Sequence, residues 1–311
     1  MERHEHEIEV VAPYRLDLTV SALRRLSTNV VDVFTPDGEY VRALPGSHET
    51  VARVRQSGAD TLLARFEGGG ALDRRRALVV LRRVLGVDRD VSGFHRAARR
   101  LPWLSSLAAR MRGVKPPRYP TLWEACVNAI LFQQVSLVAA SSISRRLTLD
   151  LGSPVTSGVD VVHAFPSLDR FRGAHDDVVR TAGVSASKLA TLRRVSEALH
   201  DGALDEEALE RLPSPEAAAL LCTIKGIGPW TATVILLRGR GRLDVFPMHD
   251  SSVVRNLALV AGNEPLELEE TLATLGTQRG MLYYCLLLAR LEARGELVLR
   301  SRYSRSTTAL L

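Results

Sequence analysis

Cysteine is scarce in this 311-residue chain, and its placement excludes several classes of protein. The three cysteines, Cys126, Cys222 and Cys285, each lie inside an apolar stretch, and none belongs to a Cys-x-x-Cys pair. A disulfide scaffold, a zinc finger and an iron–sulfur cluster all need paired or clustered cysteines. We therefore expect all three to be core residues and expect no metal site.

Lysine is equally scarce, which restricts the chemistry that an amine could perform. Only Lys115, Lys188 and Lys225 occur among 41 basic residues, so arginine supplies nearly all of the positive charge. Few side chains are thus available for covalent catalysis through an amine. The net charge of +6 and the isoelectric point near 9.6 permit binding to a polyanion but do not establish it.

Long apolar runs are also missing. No segment approaches the roughly 20 consecutive apolar residues that span a bilayer, and the first six residues are too charged for a secretory signal. With 46% hydrophobic and 24% charged residues, the composition is that of a globular chain of about two domains, not of a disordered protein or a coiled coil. We expect a cytoplasmic bacterial protein with no membrane partner.

The hydrophobic pattern changes once along the chain. Apolar residues alternate from Tyr14 to Val20, and turn signals at residues 36–38 and 57–60 separate further short runs, which predicts antiparallel strands. From Leu72 onward the spacing is helical. The prediction is an α+β protein with an antiparallel β-sheet domain at 1–86, a helical domain at 87–299 and a flexible basic tail at 300–311.

Two helices with an unusual connection begin the densest part of the helical region. Thr121 and Glu124 match a capping box, in which a hydroxyl and a carboxylate each satisfy a backbone donor of the first helical turn. The apolar stripe that follows stops at Gln133-Gln134, and Ser136 is placed to cap the next helix. Two glutamines therefore occupy a bend between two helices.

A glycine-containing turn between two helices carries most of the functional signal. Helix starts are marked by Ser214-Pro215-Glu216 and again by Pro229, with Gly226 and Gly228 between them. Glycines allow a tight turn and close approach of a partner, and the free N–H groups at a helix start can hold a phosphate. Many tight helix–helix turns contain two glycines, however, so this motif alone does not establish DNA binding.

The segment after the second helix makes the pattern specific. Asp244-Val-Phe-Pro-Met-His-Asp250 is an apolar loop that ends in an acid about 20 residues after Trp230. The hairpin with an acid at this distance resembles the helix-hairpin-helix DNA glycosylase superfamily. The strings Gly226-Ile-Gly-Pro-Trp-Thr-Ala232 and Asp244-Val-Phe-Pro247 are similar to its 3-methyladenine DNA glycosylase II branch.

The resemblance implies that Asp250 is the catalytic residue. An N-glycosidic bond breaks through an oxocarbenium-like sugar, so a nearby carboxylate stabilises the developing positive charge and orients the attacking water. Asp250 is also a good N-cap for the helix that follows. The two roles are compatible, because a helix start holds the side chain rigidly.

The position after the hairpin predicts which reaction is absent. Bifunctional members of the superfamily carry a lysine two places after the second hairpin glycine, and this lysine forms a Schiff base that cuts the strand. Trp230 stands there instead. The resemblance thus implies a monofunctional enzyme that leaves an abasic site, with Trp230 either stacking on the extruded base or packing in the core.

The resemblance also assigns roles to further residues. Gln133 and Gln134 occupy the family's wedge loop, with Gln134 as the better candidate to fill the gap left by a flipped base. A tyrosine of the family pattern is replaced by Val234. The expected base-pocket residues are Trp230, Val234, Tyr284 and Arg290. The expected DNA-binding residues are Gln133, Gln134, Lys225, Gly226, Gly228 and Arg238, with Arg240 and Arg242 as further candidates for phosphate contacts.

These inferences predict a monofunctional DNA glycosylase that acts, as a monomer, on double-stranded DNA containing damaged bases, most of all an N-alkylated purine. No redox cofactor is expected, and the hairpin carbonyls are candidates to hold a monovalent cation. Three alternatives stay open: a glycosylase for deaminated or oxidised bases, a non-catalytic protein that binds damaged DNA, and a basic protein that does not bind DNA and whose hairpin contacts another protein.

Overall fold

The computed structural model describes residues 5–46, 50–248, 250–262 and 267–297. It confirms the α+β class, with an antiparallel sheet near the N-terminus and a largely helical remainder. The predicted tail at 300–311 lies outside the described residues. Within the described part of the chain, no helix is both long and apolar enough to cross a bilayer.

The sheet has five antiparallel strands in the order β1-β5-β4-β3-β2. A separate two-stranded hairpin, β6 and β7, packs against β3 and was not predicted from the sequence. Arg53 on β4 holds that hairpin through the Ser157 carbonyl oxygen at 3.0 Å and the Asp160 carboxylate at 2.9 Å. The strands are β1 (Glu5–Glu9), β2 (Val33–Phe34), β3 (Tyr40–Leu44), β4 (Thr50–Gln56), β5 (Thr61–Glu67), β6 (Pro154–Ser157) and β7 (Asp160–His163).

Fifteen α-helices make up most of the rest of the described chain. They are α1 (Leu16–Arg24), α2 (Ala71–Leu85), α3 (Ser92–Ala98), α4 (Pro102–Arg110), α5 (Leu122–Leu131), α6 (Leu137–Leu151), α7 (Leu168–Gly173), α8 (Asp176–Thr181), α9 (Ala186–His200), α10 (Glu206–Arg211), α11 (Ser214–Cys222), α12 (Pro229–Gly239), α13 (Ser251–Ala261), α14 (Leu268–Leu275) and α15 (Gly280–Glu292).

The strand predicted across residues 14–20 is wrong, because this segment forms helix α1. All nine residues of α1 are buried. Leu16 and Val20 belong to one hydrophobic core, whereas Leu18 and Ala22 belong to the other. Since the helix lies between two cores, its apolar residues fall on opposite faces and imitate the two-residue period of a strand.

A buried ion cluster joins the sheet to the helical region. Arg42 on β3 donates to Asp32 at 2.5 Å and, from its other terminal nitrogen, to both carboxylate oxygens of Glu124 at 2.6 and 2.7 Å. All three side chains are at least 95% buried. The Tyr40 hydroxyl donates a further bond to Asp32 at 2.8 Å. One guanidinium thus serves two carboxylates away from water.

This cluster changes the predicted cap of α5. The Thr121 hydroxyl accepts a bond from the Glu124 backbone N–H at 3.1 Å, as predicted, but the Glu124 carboxylate turns to Arg42 and not back to Thr121. The other half of the capping box is therefore wrong. Burial raises the pKa of Glu124 to about 7, although Arg42 acts in the opposite direction.

Candidate DNA-binding and catalytic site

The glycine-containing turn forms a hairpin, residues 223–228, between α11 and α12. Gly226 has φ of 103°, and a Cβ built there would lie 2.0 Å from the Thr191 hydroxyl oxygen on α9. Gly228 has φ of −96°, and a Cβ there would meet no atom within 4 Å. Gly226 is thus required by the turn itself, while Gly228 leaves open space in front of the first turn of α12.

The bend after α5, residues 132–136 (the elbow), contacts this hairpin directly. The Gln133 side-chain amide donates to the Gly226 carbonyl oxygen at 3.0 Å and to the Thr231 hydroxyl at 2.8 Å. The structure therefore brings together two motifs that lie more than 90 residues apart in the sequence. These two bonds give the half-buried Gln133 a positioning role between the elbow and the hairpin, and its contact with DNA stays a prediction.

Lys188 on α9 supports the elbow and was not selected as a site residue from the sequence. Its ammonium group donates to the carbonyl oxygens of Leu131 at 2.8 Å and Gln133 at 2.9 Å. Partial burial lowers the pKa of Lys188. These carbonyls lie at the C-terminal end of α5, where a cation is favourable. No spacing in the sequence relates Lys188 to the elbow, so only the fold identifies it.

Gln134 is exposed at the tip of the elbow. Its φ of 52° lies in the left-handed region, which is uncommon for residues other than glycine. Val135 beside it is 40% exposed, and Ser136 caps α6 through its hydroxyl oxygen, which accepts from the Ala139 N–H at 3.2 Å. The backbone thus presents one long polar side chain and one apolar side chain to solvent, next to the hairpin. This placement is the one that a wedge residue requires.

Asp250 is the N-cap of α13, as predicted. One carboxylate oxygen, Oδ1, accepts bonds from the Ser252 N–H at 2.7 Å and from the Ser252 hydroxyl at 2.5 Å. The residue is 8% exposed, and none of the described side chains donates to the other oxygen, Oδ2. The helix start therefore fixes the carboxylate through one oxygen and leaves the second one available to a reacting group.

The predicted base-pocket residues do not come together around one opening. Trp230 is half-buried in the first turn of α12 and packs against the first core, in which Val234 is buried. The hydroxyl of Tyr284 lies 3.2 Å from two carbonyl oxygens inside the second core. Its ring is fully buried, so its assignment to a pocket wall is wrong. Arg290 is exposed at the other end of α15.

The predicted phosphate contact of Arg238 is also wrong. Its side chain is 1% exposed and donates to the Ala22 carbonyl oxygen at 2.9 Å, so it holds the end of α1 and does not face solvent. Arg240 pairs with the carboxylates of Glu206 and Glu210, at the opposite end of α12 from the hairpin. Among the predicted basic contacts, the exposed Lys225 is the one that lies within the hairpin.

A narrow cleft between the end of α1 and the elbow contains residues that the sequence did not single out. The Arg25 guanidinium lies over the Phe132 ring, 3.6 Å from its centroid, and Arg25 has φ of 64°. Both residues line the cleft together with Tyr119 and Asn128. A non-glycine residue at positive φ beside a cleft is a signal of function that only the structure provides.

Two buried cations lie close together beside this cleft. Burial and, next in importance, the charge of Arg238 lower the pKa of Arg25. No carboxylate forms an ion pair with either arginine within the described ranges, although the rings of Tyr119, Tyr283 and Tyr284 lie near Arg238. The electron-rich ring faces offset part of the cost of burying these charges.

The described residues contain no group of three or more histidine, cysteine or acidic side chains that would hold a metal ion. The predicted monovalent cation would use hairpin carbonyls. Those of Ile224 and Gly226 already accept bonds from the Ile227 N–H and the Gln133 amide, and each keeps a second lone pair. The cation stays a prediction, and no chemical step is assigned to it.

Comparison with known proteins begins with the curated relatives. No protein-family model matches the sequence. A probable bifunctional transcriptional activator/DNA repair enzyme AlkA of Mycobacterium tuberculosis is 33% identical over 179 residues, which are 57% of this chain and 35% of that protein. A DNA-3-methyladenine glycosylase of Bacillus subtilis is 24% identical over 56% of this chain and 57% of its own length.

The sequence is thus similar to DNA-3-methyladenine glycosylases, in agreement with its resemblance to the 3-methyladenine branch of the helix-hairpin-helix DNA glycosylase superfamily. It spans about a third of the mycobacterial relative and a little over half of the one from Bacillus subtilis. The resemblance deduced from the hairpin and the loop before Asp250 is thereby confirmed.

Solved structures of DNA glycosylases show the same fold. A 3-methyladenine DNA-glycosylase from Archaeoglobus fulgidus superposes with a TM-score of 0.76 at 22% identity, covering 92% of this chain and 99% of that one. An 8-oxoguanine glycosylase/lyase from Clostridium acetobutylicum, in complex with double-stranded DNA, gives 0.71 at 15% identity over 95% and 100% of the two chains. Such low identities establish the fold alone, so both likenesses are compatible with different damaged bases.

Proposed function

We propose that this protein is a monofunctional DNA glycosylase that flips a damaged purine, most of all an N-alkylated one, out of duplex DNA and hydrolyses its N-glycosidic bond. The product is an abasic site, and the protein acts in base excision repair, as a monomer, on the chromosomal DNA of a bacterial cell. The names of the curated relatives support alkylated bases as the substrate class.

The observation that carries the proposal is the hydrogen bonding of the Asp250 carboxylate. Its carboxylate is fixed through Oδ1, while Oδ2 is free of bonds from described side chains. A carboxylate held in this way stabilises a developing oxocarbenium ion without first having to reorganise. A protein that only bound DNA would not need a rigid acid at this position.

The hairpin and the elbow supply the DNA-binding part of the mechanism. The Gln133 bridge fixes the exposed Gln134 relative to the hairpin, whose open space at Gly228 admits a phosphate to the first N–H groups of α12. DNA bound at the hairpin therefore lies next to the elbow. Gln134 enters the base stack of the duplex when the damaged base leaves it.

The positions of the lysines support hydrolysis by water and not cleavage by an amine. Lys188 is bonded at the elbow, Lys115 is 1% exposed, and Lys225 lies before the hairpin glycines. The position at which bifunctional relatives place their lysine is occupied by Trp230. None of the three amines is therefore presented as a Schiff-base nucleophile beside Asp250.

The test is base release from methylated duplex DNA by the wild type and by Asp250→Asn, with the DNA analysed before and after alkali. We expect release by the wild type, strand breaks only after alkali, and loss of at least about a thousandfold in rate for Asp250→Asn with DNA affinity retained. Equal release by both proteins would remove Asp250 from the mechanism. Strand breaks before alkali would remove the monofunctional assignment.

The buried arginines favour a second candidate function, a glycosylase for neutral deaminated or oxidised bases. Arg25 lies on the Phe132 ring next to the elbow, and Arg238 adds a second positive charge nearby. A cationic alkylated purine would be repelled by these charges, whereas a neutral base with exposed carbonyl oxygens would be stabilised.

Duplexes that contain 7-methylguanine, hypoxanthine or 8-oxoguanine separate the two candidates under single-turnover conditions. Preference for 7-methylguanine supports the alkylated-base function. Preference for hypoxanthine or 8-oxoguanine, reduced by Arg25→Gln, supports the second candidate. No release of any base, together with tight and salt-dependent DNA binding, would indicate a non-catalytic binding protein.

A further inference from the structure

An open cleft lies at the C-terminal end of α12, away from the hairpin. Its empty space is about 1090 Å³, open solvent included. Helix α12 has 11 residues and is therefore about 16 Å long, so this cleft and the hairpin are separated by the length of the helix. The charged residues that line the cleft are Arg89, Arg118, Arg240, Arg242, Asp90, Glu210 and Asp244.

The carboxylates near this cleft are mostly engaged or exposed. Glu210 and the neighbouring Glu206 both bind Arg240. Asp90 accepts bonds from the N–H and hydroxyl of Ser92 at 2.8 and 3.0 Å, and Asp244 is exposed at the rim. Among the described residues, no carboxylate forms an ion pair with Arg89, Arg118 or Arg242, although the charge of Glu210 acts on Arg118 and Arg242.

The remaining arginines bind neutral groups or nothing. Arg89 donates to the Gly241 carbonyl oxygen at 2.8 Å, and Arg242 donates to the Leu209 carbonyl oxygen at 2.7 Å. The Arg118 side chain makes no hydrogen bond or ion pair with any described residue, and its Nε is buried without an acceptor. A half-buried arginine without a hydrogen-bond partner has lost part of its hydration. An anionic ligand can replace the lost hydrogen bonds.

The backbone around Arg118 is arranged to keep it in place. Gly241 has φ of 65°, and a Cβ there would lie 2.3 Å from the Arg118 Nε. Any larger residue at 241 would therefore displace the guanidinium. Burial, followed by the charge of Arg89, lowers the pKa of Arg118 to about 10, while Glu210 acts in the opposite direction.

The start of α11 adds a second favourable element. Ser214 and Pro215 line the cleft, so the N-terminal end of this nine-residue helix opens on it. The partial positive charge of a helix start acts in the same direction as the three arginines without a carboxylate partner.

We propose that this cleft binds a phosphate group, held by Arg118, Arg89 and Arg242 at the start of α11. Guanidinium groups and helix N-termini both match the geometry of a tetrahedral oxyanion. Two sources supply the same chemistry: a free phosphate compound, or a backbone phosphate of DNA that extends beyond the hairpin. The site is independent of the glycosylase mechanism proposed above.

The first experiment uses inorganic phosphate as the probe. Thermal unfolding of the whole protein is followed in phosphate and in chloride at equal ionic strength and pH, for the wild type, Arg118→Gln and Arg89→Gln. The exposed Arg76→Gln on α2 is the matched control. If the source is a free phosphate compound, phosphate raises the midpoint of the wild type and the control, and affinity falls at least about tenfold in both cleft variants.

The second experiment measures duplex DNA affinity against salt concentration for the same four proteins. If the source is DNA, each cleft variant lowers the slope of log affinity against log salt by about one, while Arg76→Gln leaves it unchanged. Arg89→Gln keeps the test valid if Arg118→Gln does not fold. The proposal is overturned if neither phosphate nor DNA distinguishes the wild type from the cleft variants.

Discussion

We expect opposite effects on stability and on DNA affinity when each of the two hairpin glycines is replaced by alanine, although they are only two residues apart. In Gly226→Ala, the new methyl group would lie 2.0 Å from the Thr191 hydroxyl oxygen at a φ of 103°. The backbone conformation costs roughly 1–2 kcal/mol for a residue with a Cβ. Displacing the buried Thr191 costs a further 1–3 kcal/mol or so. We expect Gly226→Ala to lower the free energy of unfolding by about 2–5 kcal/mol, out of the roughly 5–15 kcal/mol typical of a domain.

Gly228→Ala is the matched control, because its φ is −96° and no atom lies within 4 Å of the new Cβ. Its stability should stay within about 0.5 kcal/mol of the wild type or rise slightly. DNA affinity should nevertheless fall about tenfold, because the methyl group fills the space proposed for a phosphate.

Urea unfolding and fluorescence anisotropy with duplex DNA measure these two effects. The double variant Gly226→Ala/Thr191→Ala removes the two closest contacts and should recover part of the lost stability, leaving the cost of the backbone conformation and of the 2.9 Å approach to the Cβ of residue 191. An unchanged urea midpoint for Gly226→Ala would falsify the argument from the contact with Thr191. An unchanged DNA affinity for Gly228→Ala would contradict the proposed approach of a phosphate.

Three further predictions concern charged groups. Arg42→Met should destabilise the protein by about 3–5 kcal/mol in urea unfolding, because it leaves two buried carboxylates without their cation. Arg55→Met, at an exposed ion pair, is the control and should cost less than about 1 kcal/mol. Similar losses of stability in the two variants would refute this prediction. Because burial raises the pKa of Glu124 from 4.5 to about 7, the folded protein binds more protons than the unfolded chain between these values, and stability should fall as the pH rises through this range, by about 3 kcal/mol at most. Glu124→Gln should flatten that dependence, and identical pH profiles would contradict the assignment. Lys188→Met should cost roughly 1–3 kcal/mol and weaken DNA binding in anisotropy, since two carbonyl oxygens of the elbow lose their donor; unchanged binding would show that the elbow keeps its shape without it.

Local signals in the sequence correctly located the hairpin and the start of α13. Pro229 begins α12 because its missing N–H costs nothing at a helix start, and Asp250 caps α13 because its short side chain reaches the N–H of Ser252. These features depend on residues within a few positions of each other. The resemblance to the DNA glycosylase superfamily is visible in the same stretch, because the hairpin and its acid lie within about 30 residues.

The errors arose where a residue's neighbours come from distant parts of the chain. Helix α1 lies between two cores, and nothing in its own nine residues reveals the second one. The sequence suggested that Arg238 faces solvent at a helix end, yet it is buried and donates a hydrogen bond to the Ala22 carbonyl oxygen, 216 residues away. Spacing predicts which face of a helix a residue occupies but not what covers that face.

The sequence by itself determined the class of fold, the hairpin and the identity of the candidate acid, because turns, caps and helix starts are set by local backbone chemistry. Only the tertiary structure decided which side chains surround the site. It joined the elbow to the hairpin through Gln133, placed Lys188 under the elbow, laid Arg25 on Phe132 and left Arg118 without a partner. Each of these contacts depends on burial and on charged groups from remote segments of the chain. The spacing of neighbouring residues predicts neither the burial nor the charged neighbours.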